Sequence, residues 1–278
     1  MTTTPILVVG GTGKVGRRVA SQLAGLGRSV RAASRSSDIR FDWNDQTTWD
    51  SALAGTSGVF IMPNDADDGG QLRAFTERAR DAGVQRLVLL SAREYVEMGF
   101  TAAITREDIV RESGLDWTVL RPVWFAQNFS EEPFLSVGVD DGTVSISTGA
   151  GRHPFIDAED IAAVAVAALT KDGHVGQIYE LTGPRAITVG EAVEAISTAS
   201  GRSIRFAPTP PDEYAEYLVS RGLYDKETAL VVASLAEYIR DGHDEHLSDG
   251  VQRALGRQPR EFADYVATTV ASGTWTTP

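Results

Sequence analysis

A chain of 278 residues with a formal charge of −12 can bury a full core in one large domain, or in one with a small appendage. The acidic balance excludes a nucleic-acid partner, because binding to a phosphate backbone needs clustered cations. The absence of cysteine excludes disulfides, thiolate metal sites and thiol nucleophiles, so any redox chemistry must come from a cofactor.

The opening Met1-Thr2-Thr3-Thr4-Pro5 has neither a basic region nor an apolar stretch of signal-peptide length. The first predicted element is a strand at 5–9, whose run Ile6 to Val9 leads straight into Gly10-Gly-Thr-Gly13-Lys-Val-Gly16. A helix at 14–26 follows, with Val15, Val19, Leu23 and Leu26 at helical spacing, so the glycines occupy a strand-to-helix turn. Gly10 suits the tight turn, Gly13 has no Cβ to keep a pyrophosphate from the backbone, and Gly16 permits close packing of helix on strand. The helix start then faces an anion, with Thr12 as a hydroxyl donor to phosphate, while the missing Gly-Lys-Ser/Thr ending argues against a triphosphate loop.

A strand is predicted at 29–33 and a short one near 39–41. An acid at the end of the first would grip the ribose 2′-hydroxyl of NAD, but the chain reads Arg31-Ala-Ala-Ser34-Arg35-Ser36-Ser37 with no acid before Asp38. Arg35, with Ser34 and Ser36 as hydroxyl partners, suits a 2′-phosphate, so NADP(H) is expected over NAD(H). Asp42 and Trp43 are placed to reach the adenine or to cap the following turn.

Further along, a helical stretch near 46–54, a strand at 58–62, a helix at 68–82 with Leu72, Phe75 and Ala79 inward, and a strand at 86–90 are predicted. A helix at 102–113 and a strand at 116–120 complete the alternation, and the runs 86–90 and 117–120 suit strands covered on both faces. After Pro122 the pattern loosens: residues 123–157 are rich in aromatics, Gly and acids. A helix from Asp157 to Leu169 and a last strand from Gln177 to Leu181 follow, and 188–272 is mostly helical, punctuated by Pro208-Thr-Pro-Pro211 and Gly242. The expected fold is α/β, a Rossmann-type doubly wound parallel sheet with a smaller, mostly helical C-terminal substrate lobe. The division is residues 1–181 for NAD(P) binding, 123–157 contributing to the substrate cleft, and 182–278 for the lobe. The apolar run Ile161 to Leu169 is far too short to span a bilayer. A soluble cytoplasmic protein is expected, a monomer or homodimer with a small-molecule substrate and neither nucleic-acid nor membrane partner.

Several segments together resemble the NmrA-like group of atypical short-chain dehydrogenase/reductases. They are the Gly10 to Gly16 loop, Phe41-Asp-Trp-Asn-Asp45, Gly83-Val-Gln-Arg-Leu-Val-Leu-Leu-Ser91, and Gly114 through Pro122-Val-Trp-Phe125 to Asn128. Phe155-Ile-Asp-Ala-Glu-Asp160-Ile-Ala162, Gly183-Pro184 and Gly256-Arg-Gln-Pro259 extend the likeness through nearly the whole chain. The resemblance implies NADPH-dependent reduction of dyes, quinones or iminium ions, tailoring of natural products including oxygenation, or redox sensing for a regulator. It also implies that Met62, Pro63, Ser91, Pro122, Val123 and Phe125 line the nicotinamide half of the cleft, at carboxyl ends of strands.

Standard members of the wider family use a tyrosine assisted by a lysine four residues on. Here that position holds Gly99 after Tyr95, Gly183 after Tyr179, Leu218 after Tyr214 and Arg221 after Tyr217, and Thr228, Gly242 and Thr269 after Tyr224, Tyr238 and Tyr265. The lysines are Lys14, Lys171 and Lys226 alone. Acid–base assistance is worth about 10²–10⁴-fold, so the expected acceptor is one whose product needs no immediate proton: a small aromatic quinone, an iminium ion or another cation. Tyr95 and His153 are candidate donors facing the cleft, and Arg106 a candidate oxyanion partner too basic to donate a proton. Trp124, Phe129, Phe134 and Phe155 are expected on the substrate side, with Asn128 organising the loop backbone. The cluster His243-Asp-Glu-His246 lacks the spacing of a zinc helix and reads as a solvated turn, so no metal is expected.

Overall fold

β-branched and leucine-rich runs that are apolar on both faces must be covered on both faces, and here they pair side by side. The computed structural model describes residues 4–275. Met1, Thr2 and Thr3 of the opening stretch, and 276–278 of the expected lobe, lie outside the described residues. The strands are β1 (Ile6–Val9), β2 (Val30–Ser34), β3 (Ile39–Arg40), β4 (Gly58–Ile61), β5 (Arg86–Leu90), β6 (Asp116–Pro122), β7 (Thr143–Ile146), β8 (Arg152–His153), β9 (Gln177–Leu181), β10 (Ile187–Thr188) and β11 (Arg205–Pro208). The helices are α1 (Lys14–Gly25), α2 (Trp49–Leu53), α3 (Gly70–Asp81), α4 (Arg93–Glu97), α5 (Thr101–Arg111), α6 (Asn128–Glu131), α7 (Pro133–Asp141), α8 (Ala158–Thr170), α9 (Val189–Ser200), α10 (Pro211–Ser220), α11 (Lys226–Arg240), α12 (Gly250–Leu255) and α13 (Phe262–Ala271).

Seven strands form one parallel sheet in the order β3-β2-β1-β4-β5-β6-β9, with Ile6 opposite both Val30 and Gly58. This is a Rossmann-type doubly wound fold, and the strand order reverses between β1 and β4, where such sheets open a crevice. On one face Leu7, Val9, Val59, Ile61, Leu87, Leu89 and Val119 pack with Trp49, Leu72, Phe75, Ile109 and Val110 from α2, α3 and α5. Each such side chain contributes roughly 1.5–3 kcal/mol by leaving water. α8, buried almost all round, lies against α1, β4, β5 and β6. Glu159 at its start accepts hydrogen bonds from Arg18 Nε at 3.1 Å and Gln22 Nε2 at 2.8 Å, both on α1.

The chain divides into two compact units, and the division differs from a single break at 181. The first holds the chain up to Val123, Ala158–Leu181 and Asp249–Arg257; the second holds Trp124–Asp157, Thr182–Ser248 and the chain from Gln258. Residues 249–257 return to the first unit because Gly250 sits directly on the Glu180 carbonyl, where a Cβ would come within 1.9 Å, and Arg257 Nη2 donates to the fully buried Asp160 at 2.6 Å. The second unit carries α6, α7, α9, α10, α11 and α13 with two small sheets, β7 paired parallel to β11 and β8 antiparallel to β10. Helix α9 starts on a capping box, Thr188 Oγ1 accepting from Glu191 N–H while the Glu191 carboxylate accepts from Thr188 N–H.

One local expectation needs correcting. Leu26 lies past the end of α1 and is 61% exposed, because the helix stops at Gly25 and the chain turns at Gly27 with φ +68°. The buried stripe is Val15, Val19 and Leu23.

His174 closes the far end of β9: its Nδ1 lies 2.9 Å from the Tyr179 hydroxyl, and its carbonyl accepts from Thr118 Oγ1 at 2.7 Å. Burial, with the Arg86 and Lys171 cations nearby, holds the imidazole below its ordinary value of 6.5. As pH falls through that ordinary value the unfolded chain takes up the proton first, so stability present above it is lost toward acid. Thermal melts between about pH 8 and pH 5 should therefore fall toward acid, and His174→Gln should flatten part of that slope. Equal slopes in both proteins would remove His174 as its source.

Candidate functional site

The turn after β1 is shaped by two close approaches. Gly10 has φ +74°, and a Cβ there would lie 2.9 Å from Met62 Cβ. A Cβ at Gly16 would lie 2.1 Å from the Gly10 carbonyl oxygen, so α1 can sit this tightly on the turn only with glycine there. Gly11, which sequence reasoning left without a role, packs where a Cβ would meet Ala32 Cβ at 2.8 Å. Gly13 is the N-cap of α1 and supplies no side-chain cap to its first turn.

A cavity of about 460 Å³ opens over this turn, across the reversal of strand order. Gly10, Thr12, Gly13, Ser34, Arg35, Asp42, Trp43, Met62 and Pro63 line it together, and Val9, Phe41, Asn44, Asn64 and Asp65 join them without having been expected. All stand at or just beyond the carboxyl ends of β1, β2, β3 and β4, and that placement is the signal by which the extra residues could have been found. Ser34 is fixed by its neighbours, its N–H donating to Ser37 Oγ at 2.7 Å and its Oγ accepting from Ser36 N–H at 3.3 Å. Arg35 stands exposed beside it with no acidic partner among the described residues. Trp43 donates from Nε1 to the Met62 carbonyl at 3.0 Å, tying the loop after β3 to the loop after β4. The capping of the short turn at Gln46–Thr48 falls to Asp45. Lys14, Val15 and Gly16, expected at the cofactor, are not among the residues that line this cavity, and Val15 and Gly16 are buried.

A second, smaller and mainly apolar cavity of about 100 Å³ shares Met62, Pro63 and Asp65 with the first and continues along β5. Leu89, Leu90, Ser91, Ala92, Tyr95, Ala103 and Arg106 complete it. Tyr95 comes from α4, a helix the sequence reading missed, and packs on Phe100 at 5.1 Å between ring centroids. Arg106, the expected oxyanion partner, gives its two terminal nitrogens to a loop and keeps Nε buried without a hydrogen-bond partner among the described residues. Its Nη2 donates to the carbonyls of Asp65 and Asp67 at 2.8 and 2.9 Å and its Nη1 lies 3.3 Å from Asp65 Oδ1, clasping the loop that walls both cavities. Glu107 is buried, accepts from Ser91 Oγ at 2.7 Å, and holds Arg121 from Nε at 2.9 Å and Nη2 at 2.6 Å. That hydrogen bond, with Glu180 beside it, pushes the Arg121 guanidinium further up.

Other expected site residues have different surroundings. Pro122 ends β6 and Val123 donates its N–H to the Leu181 carbonyl at 3.1 Å, so both are buried in the first unit's sheet. In the second unit Phe125 bridges to Ile156, and Asn128 is buried at the start of α6. Trp124, Phe129, Phe134 and Phe155, expected on the substrate side, are buried there: Trp124 meets Phe134 at 4.9 Å, and Phe129 meets Phe155 at 5.3 Å and Phe262 at 5.5 Å, while Phe155 and Phe262 also line a cavity of about 150 Å³. His153, expected as a donor facing the cleft, sits between two loops. It is fully buried, accepts at Nε2 from Trp124 N–H at 3.0 Å, and faces Asp244 Oδ2 with Nδ1 at 2.7 Å. An Nε2 that accepts leaves the proton on Nδ1, where it faces Asp244. Asp244 is thus a buried member of a cluster read as solvated, while His243 and His246 are exposed.

A family model described as NAD(P)H-binding matches residues 10–172. The chain is 33% identical to YesF, an uncharacterized oxidoreductase of Bacillus subtilis, across 98% of both chains. It is 35% identical to the (4-alkanoyl-5-oxo-2,5-dihydrofuran-3-yl)methyl phosphate reductase of Streptomyces griseus, across 94% of this chain and 96% of that one. It shares its fold with the NADPH-dependent quinone oxidoreductase of Escherichia coli solved with NADPH, at a TM-score of 0.75 and 22% identity, covering 95% and 99% of the two chains. Among the described residues no helix is long and apolar enough to cross a membrane.

Proposed function

The chain belongs to the NAD(P)H-binding family, as an NmrA-like atypical short-chain dehydrogenase/reductase, and is an NAD(P)H-dependent oxidoreductase; on that premise we propose that it prefers NADPH and reduces a small aromatic, quinonoid or iminium acceptor. The observation that carries the reading is the pair of adjoining cavities in the first unit, one over the glycine turn and one beside Ser91 and Tyr95, with Met62, Pro63 and Asp65 common to both. The residues fit a dinucleotide. The cradle at Gly10 and Gly16 has no room for a Cβ, Gly13 puts no side chain over the start of α1, and Arg35 is available for a 2′-phosphate where no acid claims a ribose hydroxyl.

The cofactor, when bound, supplies the hydride. The chain's own work is to orient and to exclude water. Met62 and Pro63 wall the junction of the two cavities, Trp43 and Arg106 hold the loop that carries them, and Leu89 and Leu90 give the smaller cavity an apolar floor. With no lysine four residues after any tyrosine, and with His153 committed to Trp124, the acceptor that suits this site is one that needs no proton as the hydride arrives. Mixing the protein with NADPH and a panel of quinones and iminium dyes should give cofactor-dependent oxidation. Silence across the whole panel would count against the reading.

A further inference from the structure

Ser91 lines the smaller cavity with both of its donors already spent. Its N–H donates to the Leu120 carbonyl at 2.8 Å, and its hydroxyl donates to Glu107 Oε1 at 2.7 Å. The direction of that second bond is fixed by what lies behind it. Glu107 is 2% exposed and receives Arg121 through two nitrogens, at 2.9 Å on Oε1 and 2.6 Å on Oε2. A carboxylate held in that two-pronged way is ionised and can only accept, so the proton between it and Ser91 belongs to Ser91. What remains for the cavity is a pair of oxygen lone pairs.

We infer that Ser91 is a fixed hydrogen-bond acceptor, and that the ligand group seated against it is an N–H or O–H donor. This rests on the smaller cavity being where the reacting ends of the ligands meet. It deepens that reading in one respect. An acceptor molecule bearing an amine, an N–H iminium or a hydroxyl beside its reactive carbon is favoured there, and a bare carbonyl oxygen turned to Ser91 is disfavoured, because it would set lone pairs against lone pairs. The same chemistry is offered by the amide N–H of a nicotinamide, and the test separates the two sources.

Calorimetry on the full chain saturated with NADP⁺ compares 1-naphthol with 1-methylnaphthalene, which differ in a donor hydroxyl against a methyl group. A parallel titration compares NADP⁺ with its 3-acetylpyridine analogue, which replaces the amide N–H by a methyl group. Each ratio is measured in the wild type and in Ser91→Ala, with Ser91→Cys as a slightly larger variant that keeps a side-chain donor and weakens the acceptor. If the donor comes from the acceptor molecule, the naphthol advantage drops about tenfold in Ser91→Ala and the cofactor ratio holds. If it comes from the nicotinamide, the cofactor ratio drops by that factor instead. Ser91→Cys falls between in either case. Both ratios unchanged in Ser91→Ala, with NADPH still bound, would overturn the acceptor assignment alone. A wild-type protein that fails to bind NADPH would overturn the reading on which the assignment rests.

Discussion

Gly16→Ala should unfold the nucleotide-binding unit at denaturant concentrations the native protein withstands, while Gly13→Ala should stay folded and lose NADPH. The two glycines stand three residues apart, yet their surroundings differ. A Cβ on Gly16 would lie 2.1 Å from the Gly10 oxygen, 2.8 Å from its carbonyl carbon and 3.1 Å from Gly11 Cα, all backbone atoms that cannot rotate away. Helix α1 would have to leave the turn, at roughly 3 kcal/mol, the upper end for overpacking. A Cβ on Gly13 would come no closer than 3.3 Å to the Gly10 oxygen, and its φ of −78° suits any residue. There the methyl group would project toward the cavity and the start of α1. Urea midpoints and NADPH fluorescence titrations separate the outcomes. If both variants lose stability equally and bind equally, the turn is not a phosphate cradle.

Arg35→Ala should weaken NADPH by about tenfold or more while leaving NADH nearly unchanged, since only the former carries the phosphate that an arginine fork would hold. Arg35 is exposed at the edge of the cavity, and Ser34 beside it is already oriented by Ser36 and Ser37. Removing the cation therefore perturbs no packing, and thermal stability should not move. A parallel fall in both affinities, or a wild type that binds NADH better, would contradict the assignment of Arg35 to the 2′-phosphate.

Much of the first unit is legible because its signals are local. Ile6 to Val9 and Arg86 to Leu90 are apolar runs that suit strands covered on both faces, and the glycine turn lies where a strand meets an amphipathic helix. Loops after strand ends could be named as cavity walls from topology alone. What stayed hidden depends on contacts distant in sequence. Arg205 to Pro208 is four residues long and ends in proline, too short for its pairing with Thr143 to Ile146 to show. His153 reads as a candidate cleft donor and Asp244 as part of a solvated turn, and only folding buries one against the other. The aromatic stretch around Trp124 and Phe129 is hard to assign because core packing and ligand stacking use the same side chains; its contact with Phe262, far along the chain, is not visible in the sequence. The Ser91, Glu107 and Arg121 chain spans β5, α5 and β6, and no spacing rule links those positions.

The most direct measurement uses NADPH carrying deuterium on the transferred face of the nicotinamide C4, mixed with the protein and an iminium acceptor that turns over in the panel. The product should hold the deuterium on the carbon that was the electrophilic centre of the iminium, in proportion to NADPH consumed. Product that forms without the label would contradict direct hydride transfer from a cofactor held over the glycine turn.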